Sequence, residues 1–150
     1  MRSDIERVIL HYYPGGALRS PLGVEGITWD FDTEHAQLRA LVSALEGLSD
    51  QTRPGTRGQY DISEEILVGG RVRLQVSYLG PFATLNRGET QAPTDEDERA
   101  LIEDTQQLCR KHGMELLTDA VVNEPVSWVR SAPGTPQATV WTCLFCIDET

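Results

Sequence analysis

The segment from Arg71 to Leu79, RVRLQVSYL, alternates apolar and polar side chains over almost its whole length. A period of two places successive side chains on opposite faces, so this segment is predicted to be a strand with one buried face. A second β-type run, Glu65 to Val68, precedes it, and Gly69 and Gly70 separate the two runs. Two consecutive glycines suit a two-residue hairpin turn that requires positive φ angles. The sequence therefore predicts a central antiparallel hairpin, and the rest of the chain is expected to pack on its apolar face.

Three other segments show the periodicity of amphipathic helices. The first begins at Ser3, where SDIE has the spacing of a capping box, and an apolar face follows at Ile5, Val8, Ile9 and Tyr12. The second runs from about residue 33 to residue 48, with leucines recurring on one face. The third begins with Thr94 as the N-cap and ends at Gly113, a residue type that commonly follows a helix in the left-handed conformation.

The remaining segments complete the predicted fold. Residues 49–59 are polar and contain a proline and two glycines, which predicts an exposed loop, and residues 114–118, MELLT, predict a strand. Residues 138–147, ATVWTCLFCI, are apolar on both faces, which predicts a central strand buried on both sides. Together these elements predict a single α+β domain over residues 1–150, in which two to three helices pack on a mainly antiparallel sheet.

Acidic residues outnumber basic ones, with 23 Asp and Glu against 13 Lys and Arg and a formal net charge of −10. Nucleic acids and anionic membranes are bound through basic residues, so we expect this chain to bind neither. An acidic surface suits a basic protein partner, or serves solubility alone. The three cysteines, and the lack of an apolar signal segment near Met1, indicate reduced thiols, and we expect a cytoplasmic protein.

Two groups of residues suggest metal or redox chemistry. Asp30, Asp32 and Glu34 form a D-x-D-x-E pattern after a predicted strand, and carboxylates so placed can bind a divalent cation. Cys143 and Cys146 have C-x-x-C spacing, but on a strand their side chains would point to opposite faces. No phosphate-binding, dinucleotide-binding or nucleophile-elbow motif is present, so we expect no cofactor.

Size, acidity and the missing catalytic motifs favour a small soluble binding protein over an enzyme. One concrete form is a bacterial immunity or antitoxin protein that neutralises a basic toxin through an acidic surface. The candidate partner-binding residues are four consecutive acids, Asp95, Glu96, Asp97 and Glu98, although a solvated helix start is the simpler interpretation of such a run. The alternatives are a metal-dependent enzyme that uses the D-x-D-x-E carboxylates, and a homo-oligomeric accessory protein.

Overall fold

The computed structural model describes residues 1–18, 36–55, 62–87, 95–131 and 133–146, and they contain one five-stranded sheet. Spatial order follows chain order: β1 (Arg53–Pro54), β2 (Ser63–Val68), β3 (Val72–Ser77), β4 (Phe82–Leu85) and β5 (Glu115–Leu116). Strands β1 to β4 pair in antiparallel fashion, whereas β5 pairs with β4 in parallel. The predicted mainly antiparallel sheet is confirmed, with one parallel pair at its edge.

The central hairpin is formed by β2 and β3. Val68 pairs with Val72 and Ile66 with Leu74, so the hairpin is confirmed, but its turn has three residues, Gly69, Gly70 and Arg71, one more than predicted. Gly69 and Gly70 have φ angles of 63° and 70°, a conformation that costs other residues energy because of their Cβ atoms. The turn also packs closely against another element, since a Cβ atom at Gly69 would lie 2.7 Å from Leu101 Cδ2.

Five helices surround the sheet within the described ranges. Three are of ordinary length, namely α1 (Ser3–Tyr12), α2 (Ala36–Leu48) and α3 (Glu96–Lys111), and two are short, namely α4 (Asp119–Val122) and α5 (Val140–Leu144). The α+β class is therefore confirmed, with more helices than the two to three expected. Among these helices, none has the length and apolar composition needed to cross a membrane.

A first core cluster fills the space between the hairpin and two helices. On the hairpin, Val72, Leu74 and Val76 alternate onto one face and are completely buried, as the period of two predicts. From the helices come three leucines of α2 and Cys109 of α3, and the cluster contains Leu38, Leu41, Leu45, Ile66, Val68, Val72, Leu74, Val76, Tyr78, Ala83, Cys109 and Met114. This face of the sheet is covered by α2 and α3.

A second core cluster joins α1, α4 and α5 to the other face of the hairpin. Ser63 and Ser77 alternate onto that face, where their hydroxyls donate to the carbonyl oxygens of Phe145 and Leu144 at 3.0 and 2.5 Å. At the end of α1, the Tyr13 hydroxyl donates to the Cys143 carbonyl at 2.7 Å, and burial raises the pKa of Tyr13. The N-terminal helix and the C-terminal segment therefore cover the second face together.

The central strand predicted over residues 138–147 is wrong. Thr139 is extended and accepts a hydrogen bond from Thr142 N, while the Thr142 hydroxyl accepts from Thr139 N, so that a reciprocal capping box begins α5. All five helix residues are buried, and all except Thr142 belong to the second core cluster, which explains why both faces are apolar. A short buried helix and a buried strand have the same hydrophobic pattern, so periodicity alone did not distinguish them.

Three local predictions also need correction. The polar segment 49–59 is not entirely loop, because Arg53 and Pro54 form edge strand β1, where a proline is tolerated. Helix α1 has Arg2 as its N-cap, without a side-chain capping bond, so the Ser3 capping box is not formed. Helix α3 is capped by Asp95 and not by Thr94, which lies outside the described residues.

Gly69→Ala tests the close approach of the hairpin turn to α3. The left-handed backbone alone should lower the free energy of unfolding by about 1–2 kcal/mol. A further loss is expected because the new Cβ atom, 2.7 Å from Leu101 Cδ2, forces that side chain to move. Equilibrium unfolding in urea measures the total.

Gly134→Ala is the matched control, since Gly134 has a φ of 82° and nothing within 4 Å of its added Cβ atom. Gly134→Ala should lower the free energy of unfolding only by the cost of the left-handed backbone, without a steric contribution. In a Leu101→Ala background the contacting side chain is removed. Gly69→Ala should then lower the free energy of unfolding no more than Gly134→Ala does. If Gly69→Ala costs the same in both backgrounds, the contact with Leu101 does not limit the turn.

Candidate functional site

The start of α3 carries the four consecutive acids that the sequence singles out. Asp95 is extended, with φ −153° and ψ 174°, and its carboxylate accepts a hydrogen bond from Glu98 N at 2.8 Å. This bond satisfies one of the free backbone donors at the helix start. Glu96, Asp97 and Glu98 occupy the first turn, where the helix dipole favours negative charge.

Arg71, the last residue of the hairpin turn, holds two of these acids. Its Nη2 atom lies 3.2 Å from Asp95 Oδ2 and 3.1 Å from Glu98 Oε2. We call these contacts the Arg71 clamp. Since β3 follows directly after Arg71, the clamp joins the start of α3 to the central hairpin and fixes the direction in which the helix begins.

The clamp changes the protonation equilibria of its members. The pKa of Asp95 is lowered, first by the hydrogen bond from Glu98 N and then by the one from Arg71. The pKa of Arg71 is raised, chiefly by its hydrogen bond with Asp95. Arg71 and Asp95 therefore stay charged at neutral pH, so this pair of the clamp is formed under ordinary conditions.

Four further carboxylates of α3 point to solvent: Glu96, Asp97, Glu103 and Asp104. We call them the outer carboxylates. Glu96 and Glu103 are seven residues apart, as are Asp97 and Asp104, and two helical turns place each such pair on the same side of the helix. None of the four forms an ion pair with another described residue. The first half of α3 is therefore a surface of net negative charge, in which the exposed Arg99 lies between Glu96 and Glu103.

The candidate metal residues Asp30, Asp32 and Glu34 lie outside the described residues. Within the part of the chain that the structure describes, no group of three or more His, Cys, Asp or Glu residues could hold a metal ion.

The C-x-x-C motif lies at the end of a helix and not at its start. Cys143 is the fourth residue of α5, and Cys146 follows the helix. A dipole that activates a thiol acts at the helix N-terminus, so this position lacks that effect. Burial raises the pKa of Cys143 to about 12 and that of Cys109 to about 11. These two thiols are therefore structural core residues.

Trp141 is also a core residue, with 5% of its surface exposed. Its ring stacks on Phe145 with centroids 4.8 Å apart, and the Arg87 guanidinium carbon lies 3.8 Å from the ring centroid. Trp128 packs half-buried against the same second core cluster. Neither of these two tryptophans is the centre of an exposed apolar patch.

A second polar feature was missed by the sequence analysis. A cleft of about 280 Å³ lies between α2 and the edge of the sheet formed by β1 and β2. Its walls are Arg39, Val42, Ser43, Glu46, Thr52, Arg53, Pro54, Glu64 and Ile66. Glu64 could have indicated this cleft from the sequence. It shares the inward face of β2 with Ile66 and Val68, where an apolar residue is expected.

No protein-family model, curated protein or solved structure matches this chain. Geometry and charge therefore carry the functional inference.

Asp95→Ala tests whether the N-cap and the Arg71 clamp hold α3. The variant should lower the urea midpoint of unfolding near pH 7. The folded pKa of Asp95 lies below its unfolded value, so its stabilisation is complete above about pH 4 and is lost as the pH falls through the folded pKa. The difference from the unsubstituted protein should therefore shrink on acidification.

Asp97→Ala is the control, because Asp97 is an exposed neighbour whose side chain is outside the clamp. At neutral pH, Asp97→Ala should lower the urea midpoint of unfolding far less than Asp95→Ala does. An effect of Asp95→Ala that stays constant from about pH 7 to about pH 2 would contradict an ionised cap.

Alkylation of the folded protein tests the assignment of the cysteines. Cys146 is half-buried and should react with iodoacetamide first. Cys143 should react slowly, because with a pKa of about 12 only roughly one thiol in ten thousand is ionised at about pH 8. Peptide mass spectrometry after timed quenching gives the rates. Labelling of Cys143 as fast as that of Cys146 would indicate an activated thiol.

Proposed function

We propose that this chain is a small acidic binding protein of the immunity or antitoxin type, which neutralises a basic protein partner in the cytoplasm. The partner binds the first half of α3, where Glu96 and Asp97 belong to the run of acids that the sequence singles out and Glu103 and Asp104 extend it. The protein needs no cofactor for this task.

The observation that carries the proposal is that the acids of α3 fall into two groups, those that bind Arg71 and those that do not. Asp95 and Glu98 bind Arg71 and hold the helix on the hairpin. The outer carboxylates have no such structural task among the described residues, and they are held in a fixed arrangement by a helix that the clamp anchors. Preorganised charge loses little conformational entropy on binding, which favours affinity for a partner of complementary charge.

Electrostatics also explains what such a surface contributes. Complementary charge raises the rate of association and selects the partner, and both effects weaken with salt. The net charge of −10 extends the attraction over the whole molecule. Solubility alone would require a high net charge. It would not require four carboxylates arranged in two rows on one helix.

The first experiment identifies the partner and then measures its association rate. The tagged protein captures its partner from cells of the source organism, and mass spectrometry identifies it. Stopped-flow or surface-plasmon measurements follow with the triple variant Glu96→Gln, Asp97→Asn and Asp104→Asn. Association should slow by about tenfold or more at low salt, because electrostatic steering accelerates binding by 10–10³.

The matched control removes three exposed acids elsewhere, in the triple variant Glu6→Gln, Asp50→Asn and Asp119→Asn. Both triples change the net charge by the same amount. The control should slow association by less than about threefold, since its charges lie outside the proposed interface. If both triple variants slowed association equally, the effect would come from net charge and not from a binding surface on α3. An acidic captured partner would also contradict the proposal.

A further inference from the structure

The cleft beside α2 has one wall of helix and one wall of sheet. On the helix, Arg39, Val42, Ser43 and Glu46 follow one another at spacings of three, one and three residues, which places them on one side. This stripe flanks the buried leucines of α2. The helical wall therefore has a charged side chain at each end, with a small apolar residue and a hydroxyl between them.

The opposite wall is the face of β2 that α2 and α3 cover. Glu64 and Ile66 share this face because alternate residues of a strand point the same way, and Pro54 joins them because it pairs with Ile66. Behind this wall, the buried Tyr78 donates its hydroxyl to Glu64 Oε2. A half-buried carboxylate therefore faces the cleft at a strand position where alternation calls for an apolar side chain.

The carboxylates of the cleft have no cation to neutralise them. No described Lys, Arg or His forms an ion pair with Glu64 or Glu46. Arg39 already has a different partner, and the pairing of Arg53 with Leu67 turns the Arg53 side chain to the other face of the sheet. A half-buried carboxylate has lost part of its hydration, and a bound cation would compensate for that loss. The cleft is therefore complementary to a positively charged ligand.

The contacts of Glu64 also select the kind of cation. Because Tyr78 binds Oε2, only Oε1 lacks a hydrogen bond within the described ranges. A guanidinium group binds a carboxylate best through both oxygens, whereas an ammonium group is a point charge that needs one. A metal ion is a poorer match, because the described residues offer no group of three or more metal ligands. The arrangement therefore favours an ammonium group.

We propose that this cleft binds a small aliphatic primary amine in its ammonium form. The ammonium group donates to Glu64 Oε1 and to Glu46, and the hydrocarbon chain lies on Val42, Ile66 and Pro54. A volume of about 280 Å³ is at the lower limit of ligand sites, which are about 300–1,000 Å³, so a short chain is required. The site shares no residue with the outer carboxylates of α3, so it is independent of the proposed partner.

The test is an NMR titration of the ¹⁵N-labelled full chain with n-butylamine near neutral pH and at constant ionic strength. The amide signals of residues 42–46 and 64–66 should shift saturably, with a Kd of about 5 mM or tighter. The neutral 1-butanol should not saturate these shifts. Butylguanidine, and butyltrimethylammonium, which has no N–H donor, should each bind at least about threefold more weakly than the amine.

Substitutions on both walls examine the two carboxylates. Glu64→Gln removes the charge, keeps an acceptor for Tyr78 and should weaken butylamine binding by about tenfold or more. Glu65→Gln is the matched control, because this half-buried neighbour points to the other face of the sheet, and it should leave the Kd within about twofold. Glu46→Gln, at an exposed helix position, should weaken binding by about threefold.

Three results would overturn the proposal. They are the absence of saturable shifts with butylamine, binding of 1-butanol as tight as that of the amine, and equal losses of binding in Glu64→Gln and Glu65→Gln. The urea midpoint shows whether Glu64→Gln is folded, and if it is not, an unchanged Kd in Glu46→Gln would overturn the proposal instead. Since the proposed partner is measured through α3, a failure of amine binding would leave that proposal intact, and the reverse is also true.

Discussion

Burial of one face of the hairpin under α2 and α3 is the interaction on which the rest of the described structure depends. Val72, Leu74 and Val76 are completely buried there, and each such side chain contributes about 1.5–3 kcal/mol. Because α3 lies on this face, its Leu101 meets the turn at Gly69, and its first turn comes within reach of Arg71. The position of the acidic surface is therefore set by the core and not by local helix preference alone.

The other face of the same hairpin supplies hydrogen-bond donors to the end of a buried helix. The carbonyl groups at the end of a helix have no partner within it, and α5 ends inside the second core cluster, where water cannot supply one. Ser77 and Ser63 donate hydroxyl groups to the carbonyls of Leu144 and Phe145. The polar face that alternation predicts for β3 is thus not simply exposed, because its end binds the backbone of a buried helix.

Sequence reasoning succeeded where one short-range signal determined the structure. The period of two and the pair of glycines predicted the hairpin, and helical periodicity predicted α1, α2 and α3 to within a few residues. It failed for residues 138–147, where burial on all sides removes the periodic signal. The Arg71 clamp was also out of reach, because it joins residues 24 and 27 positions apart that only the packed core brings together. The run from Asp95 to Glu98 was correctly predicted to lie at a helix start, whereas its division into clamp and outer carboxylates needed the structure.

Charged groups in this protein have two kinds of environment, and the difference bears on the proposed function. Some are neutralised by ion pairs that join elements, as Arg71 joins the hairpin to α3 and Arg2 joins α1 to Glu115 at the sheet edge. The outer carboxylates stand in solvent, where a salt concentration of about 0.15 M screens their field beyond about 8 Å. Glu64 is half-buried, so its interactions are screened far less. Raising the ionic strength should therefore weaken a partner held by the outer carboxylates of α3 much more than it weakens the half-buried hydrogen bond between Tyr78 and Glu64, so salt separates surface binding from the stability of the fold.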